Sequence, residues 1–419
     1  MGKYTLLFMA AYILLAAALV CSAFIPRSAI HDNMLSSSEL LAGKETSQAV
    51  IEDIPASIAD NYADMILLNI SYGFDAADPV RSVMLSKYYA NEKTSAMESF
   101  REAVANDLPA NEQYLRYWHG SALIVRIAHL FTNISGMYII SAVIIVILTV
   151  LLLFLLIRHR LYAGAIGTAA GLIAAGIWFV PLSLEYIWAF IIALAMSVLA
   201  VKLALSEKSE TLAAAFMLCG IVTNYLDFLT CETLTLLMPL LLVIYFRRER
   251  AIRENVLFSV RSAVLWGIGY AGMWVAKWIT AAIVLGEDVS PSIGEHIAMR
   301  IEGSQDVSLF EKLFTAVISN IHALFPAGYG GVGMIAAILL VIGAVYVCFV
   351  YRKKGANVRL VLLYAAVGIV PYIRYLVLHG HSIAHRFFTF RAQAATILAI
   401  GLIIYELIGG RRDVKRKRT

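Results

Sequence analysis

Long apolar runs separated by short polar connections constrain this chain more than any other feature. Ten of the runs are 15 to 28 residues long, around the length of about 20 residues that a helix needs to cross the hydrocarbon core of a bilayer. Because backbone N–H and C=O groups meet no water there, each run must pair them internally as a helix, and the absence of strict alternation argues against a barrel. The predicted spans are 4–24, 136–157, 161–180, 186–204, 210–224, 232–246, 257–284, 331–351, 358–378 and 391–408.

The composition argues against a water-soluble globular protein. Of the 419 residues, 60% are hydrophobic and only 15% are charged. We therefore predict an all-α polytopic transmembrane helix bundle in the plasma membrane, surrounded by membrane lipids. The net charge of +5 does not indicate a nucleic-acid partner, because the basic residues lie at the ends of the runs. The cysteines, Cys21, Cys219, Cys231 and Cys348, are scattered and predict neither a disulfide framework nor a metal site.

The connections alternate between strongly and weakly basic, which predicts the orientation of the chain. Lysine and arginine favour the cytoplasmic side of a membrane protein. Both termini are therefore predicted to be cytoplasmic, and the segment 25–135 to be extracytoplasmic. The basic connections contain Arg158, Arg160, Lys202, Lys208, Arg247, Arg248, Arg250, Arg253, Arg352, Lys353 and Lys354.

This pattern divides the chain into four parts. They are a first transmembrane helix at 1–24, an extracytoplasmic helical loop with an interfacial helix at 25–135, a transmembrane bundle at 136–408 and a basic cytoplasmic tail at 409–419. The first run is longer than the apolar core of a signal peptide, which usually has about 7–15 residues. Its length favours an uncleaved anchor over a cleaved leader.

Two helices are predicted inside the segment 25–135. Apolar residues at helical spacing in 57–73 predict the first. The second covers about 112–133, where tyrosines and a tryptophan precede an apolar stretch. Arg126 and His129 near its centre argue against a span, because an arginine in hydrocarbon costs about 2.5–3.5 kcal/mol on insertion scales. We expect this helix to lie on the outer leaflet.

The stretch HGHSIAHRFFTFR, residues 379–391, lies between two predicted spans on the outer side. Its three phenylalanines accompany His379, His381, His385, Arg386 and Arg391. Arginine and histidine bind phosphate, so the stretch is a candidate anion site. The histidines can donate as imidazolium or as neutral rings, and we expect phosphate binding to weaken as the pH rises through about 6.5. The simpler interpretation is that the arginines and aromatic rings anchor a helix end at the lipid headgroups.

Other polar residues near predicted span ends have both a structural and a functional interpretation. Lys277 lies about 30 Å along its span at a rise of about 1.5 Å per residue. It either snorkels to the outer headgroups or faces an outward cavity. Asp227 and Glu185 either cap the helices beside them or belong to a site. His119 has no partner at metal-ligand spacing, and no metal site is predicted.

Three acids of the outer segment are candidate bases. Asp32 follows the first span closely, which holds it near the membrane surface. Asp60 and Asp64 are four positions apart, so a helix would place both carboxylates on one face. Each of the three, taken alone, is also explained as a solvated surface residue.

A first span, a large acidic outer loop with an interfacial helix, and many spans with polar residues at their outer ends occur together in this chain. In this combination the chain resembles the GT-C superfamily of membrane glycosyltransferases. The strings RYWHG, NYLDFLT, WVAKW and HSIAHRFFTFR are also similar to those of uncharacterised envelope membrane proteins from Gram-positive bacteria. Unlike the enzyme pattern, no adjacent Asp-Asp or Glu-Asp pair comes directly after the first span.

The resemblance implies an inverting transfer on the outer face, from a polyprenyl-phosphate lipid to a glycan acceptor of the cell envelope. It implies a catalytic base at Asp32, with Asp60 or Asp64 as substitutes. The residues expected to bind substrate or phosphate are Lys277, Arg374, His381, His385, Arg386, Arg391, His119 and Asp227. The cofactor is left open, with a divalent cation as one option. A transporter or flippase for lipid-linked glycans and a non-enzymatic envelope assembly protein remain alternatives.

Overall fold

A computed structural model describes most of the chain. It covers residues 2–286, 307–325, 328–351 and 356–409, with isolated positions at 294, 298, 300 and 301. The predicted basic tail lies outside the described residues beyond its first position, 409.

The described chain is mostly helical. Its first part consists of a long apolar helix and a small domain over residues 27–128, which we call the outer domain after its predicted side. This part contains α1 (Gly2–Ala23), α2 (Arg27–Leu41), β1 (Ser47–Ala49), a 3₁₀ turn (Pro55–Ser57), β2 (Ile58–Asp60), α3 (Asn61–Gly73), α4 (Pro79–Leu85), α5 (Ala96–Ala105) and α6 (Ser121–Ala128). The two strands are antiparallel and pair Ser47 with Asp60, Gln48 with Ala59 and Ala49 with Ile58.

The rest of the described chain is a bundle of mostly apolar helices. Its elements are α7 (Ile134–Arg158), α8 (Tyr162–Ala174), a 3₁₀ helix (Ile177–Leu182), α9 (Leu184–Leu205), α10 (Ser209–Leu226), α11 (Leu234–Phe246), α12 (Ile252–Leu285), α13 (Leu309–Leu324), α14 (Gly328–Val350), α15 (Val358–Gly368), α16 (Val370–Val377), α17 (His379–Ala384), α18 (Arg386–Thr389), a 3₁₀ turn (Phe390–Ala392) and α19 (Gln393–Gly409).

Seven helical segments of the described chain are long and apolar enough to cross a membrane. They are Gly2–Ala23, Ile134–Arg158, Leu184–Leu205, Ser209–Leu226, Ile252–Leu285, Val358–Val377 and Arg386–Ile408. Three shorter apolar helices are Tyr162–Ala174, Leu234–Phe246 and Ile335–Val350. All ten coincide with predicted runs, which confirms that the runs are helical and supports a membrane protein. The total of ten crossings and the cytoplasmic position of both termini stay predictions.

The long helices α10 and α12 pack with their backbones in contact, and glycines make this possible. A Cβ atom on Gly220 would lie 2.1 Å from the carbonyl oxygen of Trp266, and one on Gly269 would lie 2.3 Å from that of Met217. Neither approach is compatible with any side chain. Small residues at such crossings allow the close packing that holds helices together in lipid.

Arg126 joins the outer domain to the end of α1. Its guanidinium donates to the carbonyl oxygens of Ser22, at 2.9 Å, of Ile25 and of Ser71. The first two oxygens lie at the C-terminal end of α1, where the helix dipole is negative and attracts a cation. Arg126 therefore binds the outer domain to the top of the first span.

The predicted helix over 112–133 is wrong in extent, because only Ser121–Ala128 is helical. Arg126 and His129 are fully buried inside the protein and do not face lipid. His129 Nε2 lies 3.0 Å from Ser37 Oγ, and burial lowers the pKa of the imidazole to about 4. The neighbouring Phe131 is 82% exposed, so the expected contact of this region with the outer leaflet stays a prediction.

Candidate functional site

An open cavity lies where the outer domain meets the ends of the apolar helices. It is open to solvent, and the space between its walls is about 660 Å³. We call it the charged cavity. Its lining residues are Asp60, Tyr62, Ala63, Ile66, Leu67, Tyr114, Arg116, Tyr117, His119, Glu185, Phe228, Arg300, His381, His385 and Phe388.

Two carboxyl groups meet in the wall of the charged cavity. Asp60 ends β2 and caps α3, with Oδ1 accepting a hydrogen bond of 2.9 Å from the backbone N–H of Ala63. Glu185 lies in the first turn of α9, and its side chain shares a hydrogen bond with that of Asp60. Burial raises the pKa of Asp60, while the bonds from Ala63 and Glu185 partly oppose the rise. Such a pair holds one proton between two acids more readily than two separate carboxylates would.

Two arginines face the same cavity, and tyrosines orient both of them. Arg116 lies over the ring of Tyr114, 4.3 Å from its centroid, and donates to the Tyr114 hydroxyl at 2.5 Å. Arg300 donates to the hydroxyl of Tyr117 and lies 5.4 Å from the centroid of that ring. Ordered guanidinium groups of this kind bind phosphate oxygens well.

Three residues of the stretch 379–391 reach the charged cavity. His381 lies in α17, His385 lies between α17 and α18, and Phe388 lies in α18. The rings of His385 and Phe388 stack with centroids 5.1 Å apart. Burial, followed by the charges of Arg300 and Arg374, lowers the pKa of His385 to about 4.

The cavity histidines are neutral near pH 7. The pKa of His381 is well below its ordinary value, mainly because of burial. The same cause lowers the pKa of His119, with a smaller contribution from Lys277. His119 also adopts a φ of +52°, a backbone conformation that residues other than glycine seldom adopt. Of the two expected donor forms, these pKa shifts favour the neutral ring over the imidazolium near pH 7.

Four buried polar atoms of the charged cavity have no hydrogen-bond partner within the described part of the chain. They are Glu185 Oε2, His119 Nδ1, His385 Nδ1 and Arg300 Nη1. Buried polar atoms are nearly always paired, because leaving one unpaired costs about 1–3 kcal/mol. Their grouping around one opening gives a ligand both acceptors and donors.

Two of the three predicted bases lie elsewhere. The side chain of Asp32 is fully exposed and lies 3.3 Å from its neighbour His31. Asp64 is fully buried and accepts bonds from Ser183 Oγ at 2.7 Å, from the N–H of Leu184 at 2.8 Å and from the hydroxyl of Tyr138 at 2.5 Å. Burial raises the pKa of Asp64 to about 7. Asp64 fastens α3 to α7 and α9, and it does not line the charged cavity.

Lys277 and Arg374 are also absent from the cavity lining. Lys277 is fully buried and donates to the carbonyl oxygen of Met84 at 2.8 Å, so it neither snorkels nor faces the opening. Arg374 forms a buried ion pair with Glu232 at 3.0 Å. Arg374 also lies 3.2 Å from His381 Nδ1, which puts it directly behind the cavity wall.

The remaining predicted residues serve other contacts. Arg391 is fully buried and donates to the carbonyl oxygens of Phe387 at 3.0 Å and Ala56 at 2.9 Å. Arg386 is exposed and does not line the cavity. Asp227 is buried and accepts a bond of 3.0 Å from the N–H of Thr230 in the loop before α11, so it does not cap that helix, which Thr233 precedes.

The charged cavity thus contains four of the predicted site residues, Asp60, His119, His381 and His385. Sequence reasoning missed Tyr114, Arg116, Tyr117 and Arg300, and it considered Glu185 without assigning it. The signal for the first three was the density of tyrosine and arginine in YLRYWH, which was interpreted as a membrane-interface pattern. No sequence signal separated Arg300 from other polar loop residues.

No group of three or more His, Cys, Asp or Glu is arranged to hold a metal ion within the described residues. The cavity acids form a pair, and a pair of carboxyl groups alone is a sparse ligand set for a divalent cation. The option of a divalent cation stays an expectation of the family resemblance.

Comparisons of the chain with protein-family models, with curated proteins and with solved structures found no significant match. The resemblance to GT-C enzymes accordingly stays an expectation drawn from sequence. The function has to be argued from the geometry of the charged cavity.

Proposed function

We propose that the protein is a membrane glycosyltransferase that moves a sugar from a polyprenyl-phosphate donor to a cell-envelope acceptor at the outer face of the plasma membrane. One observation carries the proposal. The charged cavity combines a hydrogen-bonded carboxyl pair, Asp60 and Glu185, with two arginines, Arg116 and Arg300. This combination of side chains lies at the ends of helices that are long enough to span a membrane.

The carboxyl pair supplies the base. In an inverting transfer, an acceptor hydroxyl attacks the anomeric carbon on the face opposite the phosphate and loses its proton to a carboxylate. Asp60 has one oxygen engaged by Ala63, which fixes the direction of the other. The raised pKa of Asp60 makes its carboxylate a stronger proton acceptor than an exposed aspartate.

The arginines stabilise the leaving group. When the bond between the anomeric carbon and the phosphate oxygen breaks, its electrons stay on the phosphate, whose negative charge increases. Arg116 and Arg300 face the cavity in orientations that their tyrosine contacts hold. Donors placed in advance around developing charge act most strongly where water is excluded.

The apolar part of the cavity suits the lipid end of the donor. Ile66, Leu67, Phe228 and Phe388 line it beside the polar groups. A polyprenyl chain that entered between the helices would bring its phosphate to the headgroup level, where span ends lie. This arrangement needs only one substrate-sized opening at one membrane surface.

The same arrangement weighs against a transporter. A carrier for a charged glycan is expected to place polar groups near the bilayer midplane, often on broken helices of two repeats. Here the cavity residues gather at one end of the bundle. An assembly protein without activity gives no reason for four unpaired polar atoms around one opening.

Conservative substitution of the acids tests the proposal. Purified full-length protein is supplied with a panel of polyprenyl-phosphate sugars, and sugar transfer to acceptor glycans is measured. We expect Asp60→Asn and Glu185→Gln to lower the rate by about a hundredfold to ten-thousandfold, the usual range for general-base catalysis. The matched control is Asp32→Asn, an exposed acid of the same domain, which should keep the wild-type rate.

Two outcomes would contradict the proposal. Wild-type rates in both cavity variants would remove the base from the Asp60–Glu185 pair. Movement of lipid-linked sugar across vesicle membranes, without transfer to any acceptor, would assign the cavity to a transporter.

A further inference from the structure

A second cavity lies inside the outer domain and adjoins the first. It is open to solvent and spans about 510 Å³ of space between α3, α5 and the loop that connects α4 to α5. We call it the tyrosine cavity. Its lining residues are Tyr62, Met65, Ile66, Tyr88, Tyr89, Ala90, Asn91, Glu92, Thr94, Ala96 and Ser99.

We propose that the tyrosine cavity binds neutral sugar units of a glycan, next to the charged cavity. Three tyrosines supply ring faces of the kind that pack against the C–H faces of a pyranose, and their hydroxyls keep a polar end. Asn91, Glu92 and Thr94 add side chains that donate to or accept from sugar hydroxyls. The combination of apolar area with a few polar groups is typical of a small-molecule site.

The charge of the lining disfavours an anionic ligand. No lysine, arginine or histidine lines the tyrosine cavity within the described residues, and one carboxylate does. The charged cavity has two guanidinium groups, those of Arg116 and Arg300. An anionic phosphate is therefore favoured in the first cavity and disfavoured in the second, whereas uncharged hydroxyl-rich units meet no such penalty.

Asparagine side chains hold the wall of the tyrosine cavity in place. Asn69 pairs with both backbone groups of Tyr89, with its amide donating to the carbonyl and its oxygen accepting from the N–H, each at 2.9 Å. Asn111 does the same for Ala90, with both bonds at 2.8 Å. A wall that is ordered before binding loses little entropy when a ligand arrives.

These bonds also disfavour an extended peptide as the ligand. A peptide that adds to an edge as a strand needs free backbone N–H and C=O groups. Those of Tyr89 and Ala90 are occupied by asparagines, and those of Tyr88 pair with Glu112 at 3.0 and 2.9 Å. The wall therefore offers side chains to a ligand, and it is through side chains that it would bind a sugar.

The two cavities share a wall. Tyr62 and Ile66 line both of them, and Tyr62 is 44% exposed. A glycan that lies across Tyr62 could keep inner units in the tyrosine cavity and present a terminal hydroxyl to Asp60. The role as an acceptor subsite rests on the proposed transferase, but the binding of sugars does not.

Direct binding tests the inference separately from catalysis. Fluorescently labelled full-length protein in detergent is applied to an array of neutral and acidic oligosaccharides, and the affinity for each bound glycan is then measured in solution. We expect at least one neutral glycan to bind. Tyr89→Ala should weaken it about tenfold, or about 1.4 kcal/mol. Tyr162→Ala, an exposed tyrosine at the start of α8, is the control and should not change the affinity.

A milder variant guards against loss of fold. Glu92→Gln is exposed and keeps the size of the side chain, so it should weaken glycan binding without changing thermal stability. Binding of no neutral glycan, or of acidic glycans alone, overturns the inference. So does neutral binding that both Tyr89→Ala and Glu92→Gln leave unchanged. Sugar binding that persists in Asp60→Asn, with no transfer by wild type, would instead refute only the transferase.

Discussion

Two stretches rich in arginine, histidine and aromatic rings approach the charged cavity, and they contribute to it differently. In the stretch 114–119, Tyr114, Arg116, Tyr117 and His119 all line the cavity. The stretch 379–391 is twice as long and richer in charge, yet only its residues 381, 385 and 388 do so. Neither arginine of the longer stretch faces the opening, whereas the arginine of the shorter one does.

Backbone conformation explains the difference. Residues 379–392 form two short helices and a 3₁₀ turn, so their side chains point in all directions around an axis and one face meets the cavity. Residues 114–119 form no helix, and His119 has a positive φ. A segment that is not helical does not turn its successive side chains around an axis. Several polar side chains can therefore converge on one opening.

The clearest contrast is between the arginines at positions 391 and 116. Arg391→Met should destabilise the protein by about 3 kcal/mol, because two buried carbonyl oxygens, of Phe387 and Ala56, lose bonds from a charged donor worth about 1.5–3 kcal/mol each. The measurement is the apparent unfolding temperature in detergent. The matched control, Arg386→Met, replaces an exposed arginine and should stay within about 0.5 kcal/mol of wild type. Equal melting of both variants would return Arg391 to the list of ligand-binding candidates.

The same substitution at position 116 should act on the ligand instead of on the fold. Arg116→Met removes a guanidinium that lines the charged cavity, and a bond from a charged donor to phosphate is worth about 1.5–3 kcal/mol. Affinity for a polyprenyl-phosphate sugar should fall by about tenfold to a hundredfold.

A lysine at position 116 should recover only part of this affinity, because it lacks the planar fork of guanidinium. Titration of a short-chain polyprenyl-phosphate sugar into each variant checks this, with Arg386→Met again as the control. An unchanged affinity in Arg116→Met would transfer phosphate recognition to the longer stretch and reverse the contrast.

Sequence predicted the architecture better than the site, for physical reasons. An apolar run of span length has few alternatives to a helix in lipid, so each predicted run coincides with an apolar helix. The helix over 112–133 was predicted from residue type alone, and this error hid the convergence of residues 114–119. Their tyrosines and arginine are equally suited to a membrane interface and to a cavity.

The burial of individual polar residues was the second feature that could not be predicted from the sequence. Asp32 and Asp60 differ little in local sequence context, but one is fully exposed and the other is 8% exposed. The difference comes from packing against Glu185, which is more than a hundred positions away in the chain. Asp64 and Arg391 are candidate site residues from the sequence, yet their partners, the start of α9 and the carbonyl of Ala56, are also more than a hundred positions away. Local spacing carries no information about such contacts.

The smallest expected effect concerns the histidines that the longer stretch contributes. If His381 and His385 bound phosphate as cations, affinity for the donor would fall as the pH rises through about 6.5. Burial instead lowers the pKa of His385 to about 4 and that of His381 well below its ordinary value, so both rings are neutral from pH 6 to 8. A phosphodiester donor keeps one negative charge over this interval, and the guanidinium of Arg116 stays protonated. Donor affinity should therefore change by less than about twofold between pH 6 and 8, since no group that contacts the phosphate titrates.

The transfer rate should depend on pH in a different way. It should fall on acidification, because Asp60, whose pKa is raised, becomes protonated at a higher pH than an ordinary aspartate and then cannot act as the base. Measuring affinity and rate on the same protein separates the contribution of the two histidines from that of Asp60. A tenfold loss of affinity as the pH rises, abolished in a His381→Gln, His385→Gln variant, would show that these rings are cationic and that the longer stretch binds phosphate after all.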